Sequence, residues 1–215
     1  MSKVKACLFD LDGVIVDTAK YHYLAWRRLA LELGFDFTLQ QNESLKGVSR
    51  MASLKILLDI GGITLSEAQK ISLAEKKNNW YREFIATMTP DEILPGSKEL
   101  LEKLRISGFK IALGSASKNS MTILNNVGLV NHFDVIIDGT KTSNAKPDPE
   151  VFLLGAKELG VLPSECVVFE DAKAGIEAAI NGGMYSIGIG DPLVLNKANI
   201  VIASLAEMTL EKLNL

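Results

Sequence analysis

One short apolar run, Val4-Lys5-Ala6-Cys7-Leu8-Phe9, is followed from Thr18 to about Met88 by a stretch with no convincing strand. Only after Pro95-Gly96 does the chain alternate regularly between strand and helix patterns. The opening run is nearly continuous in apolar residues, the signature of a strand buried on both faces of a parallel sheet. Through the long middle stretch, apolar residues recur at helical spacing, punctuated by Gly34, Gly47 and Gly61-Gly62. The alternation then predicts helix 98–106, strand 109–114, helix 120–127, strand 134–137 and helix 150–159. It continues with strand 166–169, helix 174–181, strand 185–189, a short strand 200–202 and a terminal helix. Alternating units of this kind form an α/β fold, a doubly wound and mostly parallel sheet with helices on both faces. The helical stretch is then an insertion directly after the first strand. The expected organisation is a discontinuous core of residues 1–15 and 90–215, split around an inserted α-helical cap of residues 16–89.

Composition restricts the partners. The 215 residues are 47% hydrophobic and 23% charged, which is globular composition and enough chain for a substantial core. Lys plus Arg number 23 against 26 for Asp plus Glu, a net charge of −3. With no basic stripe, the chain lacks the electrostatic footprint of a nucleic-acid or anionic-membrane binder. Small molecules are the expected partners, and a monomer the expected state. Cys7 and Cys166 each sit inside an apolar run without CxxC spacing and read as reduced core residues. Between Lys5 and Asp10 only Ala6 to Phe9 intervene, too little for a signal-peptide apolar region. The longest uncharged stretch near the end, 178–190, is Gly-rich and far below membrane-spanning length. A cytoplasmic location is expected.

In doubly wound sheets ligands bind outside the carboxyl ends of the strands, and here those ends are polar. The first strand runs into Asp10-Leu11-Asp12-Gly13, the second into Ser115-Ala116-Ser117, and the strand at 166–169 into Glu170-Asp171. Lys146 opens the loop before another helix. Residues i and i+2 of an extended chain point the same way, so Asp10 and Asp12 project into one site while Leu11 faces away. Carboxylates gathered there repel by about 4 kcal/mol per close pair at an effective dielectric of about 20, so a cation has to share the pocket. Oxygen donors without His or Cys favour a hard ion, and Mg2+ suits a site with few protein ligands and room for phosphate oxygens. Lys146 brings a second positive charge. Taken alone, an Asp-x-Asp after a strand is more often a turn or helix cap. Ser115-Ala116-Ser117 alone reads equally as a strand-to-helix turn capped by Ser117 or Asn119, or as a phosphate seat of a hydroxyl and helix-terminal N–H groups. Three polar strand ends together with a lysine favour the functional reading.

At Phe9-Asp10-Leu11-Asp12-Gly13-Val14, Ser115-Ala116-Ser117-Lys118-Asn119, Lys146-Pro147 and Glu170-Asp171, in that order, the sequence resembles the haloacid dehalogenase superfamily of aspartate-nucleophile phosphotransferases. The resemblance covers essentially the whole chain. It implies a Rossmann-like core of that type, Asp10 as the nucleophile that forms an aspartyl-phosphate, and Asp12 as general acid and base. It also implies Mg2+ held by Asp10, the Asp12 backbone carbonyl and Asp171, with Glu170 acting mainly through water on the metal. Ser115, Ala116 and Lys146 would bind the phosphate. A carboxylate is a poor nucleophile towards a dianionic phosphate monoester unless positive charge neutralises the repulsion and aligns the attack.

In the helical stretch Trp26, Leu29, Ala30 and Leu33 form a stripe, with His22 one turn upstream. A histidine at the end of an apolar face is as readily a satisfied boundary residue as a functional one. A Ser66-x-x-Gln69 capping box opens a later helix, on which Lys77 and Asn78 interrupt two apolar stripes. Standing alone, these two read as a snorkelling lysine and a surface amide. Lys46-Gly47-Val48-Ser49-Arg50 leads into another helix and sets a cation near its positive dipole end. An anionic ligand would resolve that conflict; a solvated basic turn is the other reading.

The pattern at His22, Trp26, Lys46 to Arg50 and Lys77-Asn78 is similar to the phosphoglucomutase branch of the superfamily. That resemblance implies interconversion of β-glucose 1-phosphate and glucose 6-phosphate, with the sugar bisphosphate β-glucose 1,6-bisphosphate as activating intermediate. Arg50 would hold the distal phosphate with Ser117, Lys118 and Asn119. Lys46, Gly47, Val48, Ser49 and Lys77 would contact the sugar, and His22 and Lys77 would couple cap closure to Asp12. A sugar-phosphate phosphatase of the same superfamily and a non-catalytic sugar-phosphate-binding protein are the alternatives. Where the mutase pattern offers a hydroxyl and an amide after Glu170-Asp171, this chain has Ala172 and Lys173, so the surroundings of the metal ligands differ.

Overall fold

The computed structural model describes residues 4–45 and 48–213. Six parallel strands form one sheet: β1 (Ala6–Phe9), β2 (Lys110–Gly114), β3 (Val135–Ile137), β4 (Cys166–Glu170), β5 (Tyr185–Ile189) and β6 (Ile200–Ile202). Their order is β3-β2-β1-β4-β5-β6, the doubly wound arrangement in which the chain reverses its direction of travel at β1. β1 therefore has a neighbour on each side, Phe9 standing opposite Leu113 of β2 and Phe169 of β4. The crevice beyond the carboxyl ends of β1 and β4 is where such a sheet receives its ligand.

Period-two alternation divides the two central strands between two cores. Cys7, Phe9, Val167 and Phe169 join one core, and Ala6, Leu8, Cys166 and Val168 join the other. Phe9 and Phe169 stack with ring centroids 4.5 Å apart, which ties β1 to β4 just before their functional ends. α5 (Ser97–Ile106) and α6 (Ser120–Val127) cover the first face, and α7 (Glu150–Leu159) and α8 (Lys173–Asn181) the second. The cysteines are free and buried, and burial raises both thiols above their ordinary range, as expected of inert core residues.

Among the described residues four α-helices stand between β1 and α5: α1 (Ala19–Glu32), α2 (Leu39–Asn42), α3 (Arg50–Gly61) and α4 (Glu67–Ile85). Their starts follow from local chemistry. Ser66 and Gln69 form the expected reciprocal capping box at α4, Thr38 and Gln41 make another at α2, and the Ser49 hydroxyl accepts from the Ala52 amide at α3. α1 and α4 pack together through Trp26, Leu29 and Ala30 on one side and Ala74, Tyr81 and Ile85 on the other. The chain leaves the sheet and returns to it through adjacent strands of backbone: the Leu94 amide donates to the Ile15 carbonyl at 2.9 Å, and Val16 bridges Ile93. Among the described residues no helix is long and apolar enough to cross a membrane.

The expected terminal helix does not form. Residues 205–207 and 210–213 are single 3-10 turns separated by an extended Met208. Leu205, Met208 and Leu213 are all buried. α8 approaches β4 so closely that a Cβ on Gly175 would collide with the Glu170 carboxyl group. Gly175→Ala is expected to lower stability by about 1–3 kcal/mol through overpacking. Urea unfolding followed by circular dichroism measures it, and an unchanged midpoint would contradict this close approach.

Candidate active site

The carboxyl ends of β1, β2 and β4 open into a cavity of about 490 Å³, roofed by α1, α3 and α4. On the sheet side, the Asp10 amide donates to the Phe169 carbonyl at 3.0 Å, extending the β1–β4 ladder by one residue and setting Asp10 beside Glu170. Lys146 closes the group: its Nζ donates to Asp10 Oδ1 and, at 2.8 Å, to Glu170 Oε2. All three are buried, at 7% (Asp10), 4% (Lys146) and 0% (Glu170) exposure, so each charge depends on the others for the solvation that water would have given. Burial pulls the Lys146 ammonium down, but the two carboxylates outweigh it and hold the group above the usual lysine range. Glu170 is pushed up to about 8 by burial and then by Asp10, against the pull of Lys146.

Asp12 accepts a hydrogen bond from the Thr18 hydroxyl. Burial, then the charge of Asp10, push its carboxyl up to about 6, opposed by Thr18, Lys146 and Lys77. Asp10, Glu170 and Asp171 each offer an oxygen, and these oxygens lie within 4.8 Å of one another. Two of these carboxylates share Lys146, the donors of the group are all oxygen, and Mg2+ fits such a hard, acidic set. Gly13 makes the close approach possible: it has φ +81°, and a Cβ there would collide with the Asp171 carboxylate.

β2 delivers the neighbouring wall. The buried Ser115 donates its amide to the Ile137 carbonyl at 3.0 Å, and its Oγ accepts from the Ser117 amide at 3.1 Å. Ala116, Ser117, Lys118 and Asn119 line the same cavity. The capping roles open in the sequence are not made by Asn119, whose side chain leaves α6 uncapped. Its Nδ2 instead donates to Asn78 Oδ1 at 3.1 Å, joining this loop to α4.

The helical side holds His22, Trp26, Val48, Ser49, Arg50, Lys77 and Asn78, all lining the cavity. Lys46 and Gly47 lie outside the described residues. Lys77 does not snorkel and Asn78 is not a surface amide: they are 2% and 7% exposed. The Lys77 Nζ lies 2.9 Å from His22 Nδ1, 4.5 Å from the Trp26 ring centre and 4.8 Å from that of Tyr81. The His22 ring stacks on Tyr81 at 4.0 Å. Burial, then Arg50, hold Lys77 well below the usual lysine range; burial, then Lys77 and Arg50, do the same for His22. A neutral imidazole accepting from the Lys77 amine satisfies both groups. Arg50, the first residue of α3, pairs with Glu75 on α4 at 3.3 Å, a partner inside the chain for the cation at the positive helix end.

The sequence reading missed further lining residues: Asn42, Ser53, Ile71, Glu75 and the run Thr142-Ser143-Asn144 before Lys146. Ile71 and Glu75 stand seven and three residues before Asn78, so helical spacing from a residue already singled out would have found them. Nothing local marks Asn42, whose Oδ1 is buried without a partner.

The family described as haloacid dehalogenase-like hydrolase matches residues 4–183, and the chain belongs to it. The chain is 40% identical to a β-phosphoglucomutase of Bacillus subtilis over 98% of its own length and 94% of that protein's. It is 34% identical to a phosphorylated carbohydrates phosphatase of Thermotoga maritima, over 86% and 84% of the two chains. The crystal structure of a β-phosphoglucomutase from Clostridium difficile superposes with a TM-score of 0.92 at 46% identity, covering 97% of this chain and 95% of that one. Fold and similarity together make this chain a phosphoryl-transfer enzyme of the family.

The raised Glu170 has a consequence for stability. Between the ordinary 4.5 and about 8 the folded chain keeps a proton on Glu170 that the unfolded chain releases. Stability of the metal-free protein therefore falls as pH rises through that window. Urea unfolding in EDTA is expected to show a midpoint that drops from pH 6 to pH 8.5, a stabilisation by Mg2+ that grows over the same range, and a flatter metal-free profile for Glu170→Gln. A metal-free midpoint rising towards pH 8.5 would contradict the burial of this carboxyl group.

Proposed function

We propose that the chain is a Mg2+-dependent β-phosphoglucomutase, interconverting β-glucose 1-phosphate and glucose 6-phosphate through an aspartyl-phosphate and β-glucose 1,6-bisphosphate. The observation that carries this reading is one cavity with cationic groups at two places, Lys146 beside Asp10 on the sheet side and Arg50 on the helical side. A mutase needs two phosphate seats, because the bisphosphate must turn and present its other end; a hydrolase needs one. The similarity to β-phosphoglucomutases over nearly the whole chain supports the same choice.

In this reading residues 1–15 and 90–215 act as the core and 16–89 as its cap. The Ser115 hydroxyl, the Ala116 backbone and the Lys146 ammonium hold the transferring phosphoryl group in line with Asp10. The Asp10 oxygen forms its bond to phosphorus as the bond to the sugar oxygen breaks, and Asp12 gives that oxygen its proton. A carboxyl pushed up to about 6 still carries a useful protonated fraction near neutral pH and can take the proton back in the reverse half-reaction. Asp10, the Asp12 backbone carbonyl and Asp171, with Glu170 in support, would hold Mg2+, which when bound neutralises charge on the phosphate. Arg50 receives the distal phosphate with Ser117, Lys118 and Asn119, and Trp26, Val48, Ser49 and Lys77 face the sugar, a contact the resemblance also implies for Lys46 and Gly47. The Asn78–Asn119 hydrogen bond links the cap to the phosphate loop, and the His22–Lys77 contact joins two cap helices, with Lys77 acting electrostatically on Asp12. Closure over the sugar keeps water from the aspartyl-phosphate.

Supplied with β-glucose 1-phosphate, Mg2+ and a trace of β-glucose 1,6-bisphosphate, the enzyme is expected to produce glucose 6-phosphate, read by a coupled dehydrogenase assay. Free phosphate without glucose 6-phosphate would instead indicate a phosphatase, and binding without turnover a sensor. Asp10→Ala should abolish both turnover and acid-labile phosphoprotein. Arg50→Ala is expected to lower mutase kcat/KM by roughly 10- to 100-fold, the scale of a lost charged hydrogen-bond pair. Hydrolysis of acetyl phosphate, which has a single phosphate, should change far less; equal losses would argue against two seats.

A further inference from the structure

On the cap side of the cavity a guanidinium stands at a helix start, and one acidic residue answers it. Arg50 heads α3, where the helix dipole is also positive, and its electrostatic neighbours Lys77 and His22 are both buried. Among the described residues its hydrogen-bond acceptor is Glu75, which lines the same cavity from α4. The pair is weakly built. It rests on a single Nη1–Oε2 contact of 3.3 Å rather than the bidentate fork that guanidinium and carboxylate favour. Its two side chains are 28% (Arg50) and 59% (Glu75) exposed, so the carboxylate can swing into solvent without leaving a buried charge behind.

We propose that Glu75 is a built-in occupant of the distal anion seat: its carboxylate neutralises Arg50 until the second phosphate of a sugar bisphosphate displaces it, and so sets how tightly that phosphate is held. This rests on the reading of Arg50 as the distal seat. A phosphate dianion brings twice the charge and three oxygens to the guanidinium and out-competes one monodentate carboxylate. A singly charged anion gains little by the exchange. Glu75 is thus a specificity-determining residue: it keeps the seat electrically satisfied at rest, raises the threshold for adventitious monoanions, and weakens the hold on each end of the bisphosphate enough for the molecule to turn.

The test is calorimetric titration of β-glucose 1,6-bisphosphate into the Mg2+-loaded protein, carried out in an Asp10→Asn background so that no turnover intervenes. Glu75→Gln is expected to tighten binding about two- to fivefold at low ionic strength, the range of an exposed ion pair. In an Arg50→Ala background the same substitution should change nothing. Glu75 is exposed and both variants are expected to fold, which thermal melting verifies; Glu75→Ala repeats the measurement without the amide. Unchanged or weaker binding on Glu75→Gln, an equal gain without Arg50, or no bisphosphate binding at all would overturn the proposal. The mutase assay on the otherwise unaltered chain separately decides the catalytic reading: bisphosphate that binds, responds to Glu75 and is not interconverted would remove the mutase and leave Glu75 in its role.

Discussion

Everything at the centre of this molecule is arranged around a buried ammonium group. Lys146 comes from a loop, yet it is nearly inaccessible to water and is held by carboxylates from two adjacent strands. Burying such charges costs several kcal/mol apiece, and only mutual contact offsets that cost. The sheet must therefore present Asp10 and Glu170 side by side, and the parallel register of β1 and β4 does so. The stacked rings of Phe9 and Phe169 fix the strands one residue earlier. Gly175 and Gly13 serve the same end, keeping side chains out of space that the acidic groups need.

The helical layer meets this centre with the opposite sign. Arg50, Lys77 and the neutral His22 converge from three helices on the cavity that the carboxylates line from below. Burial keeps Lys77 and His22 away from their ordinary charge states, so the amine and imidazole share one hydrogen bond between aromatic faces instead of repelling as two cations. The result is a cavity with an acidic floor, a basic roof and a hydrogen bond between amides, Asn78 to Asn119, across the gap. The proposed mutase reaction would use such a division, with a neutralised nucleophile below and anion-holding groups above.

Much of this was legible before any coordinates. The strands at 185–189 and 200–202 and the helix at 150–159 fall where apolar patterning put them, because each is a simple run or an amphipathic stripe. The polar strand ends were legible for the same reason: in a buried sheet a charged residue has few reasons to follow an apolar run. The capping box at Ser66 was visible because it is a local hydrogen-bond pattern. The end of the chain was not, since spacing alone does not distinguish a helix from two tight turns that bury Leu205, Met208 and Leu213. Lys77 and Asn78 were visible as polar interruptions, but their isolated reading pointed outwards. Their burial depends on α1 and the loop after β2, which lie far away along the chain.

By itself, then, the sequence determined the alternation that makes the sheet, the insertion after its first strand, and the chemical types gathered at the strand ends. All are written in neighbouring residues and their periodicity. The tertiary structure alone decided which of those groups touch: that Lys146 bridges Asp10 and Glu170, that Asn119 reaches Asn78 rather than capping its own helix, and that Glu75 pairs with Arg50. These contacts join residues from 24 to 136 positions apart. No local pattern encodes them, because the energy of a charge in a protein depends on what the packed fold brings within a few ångströms of it and on how much water it excludes.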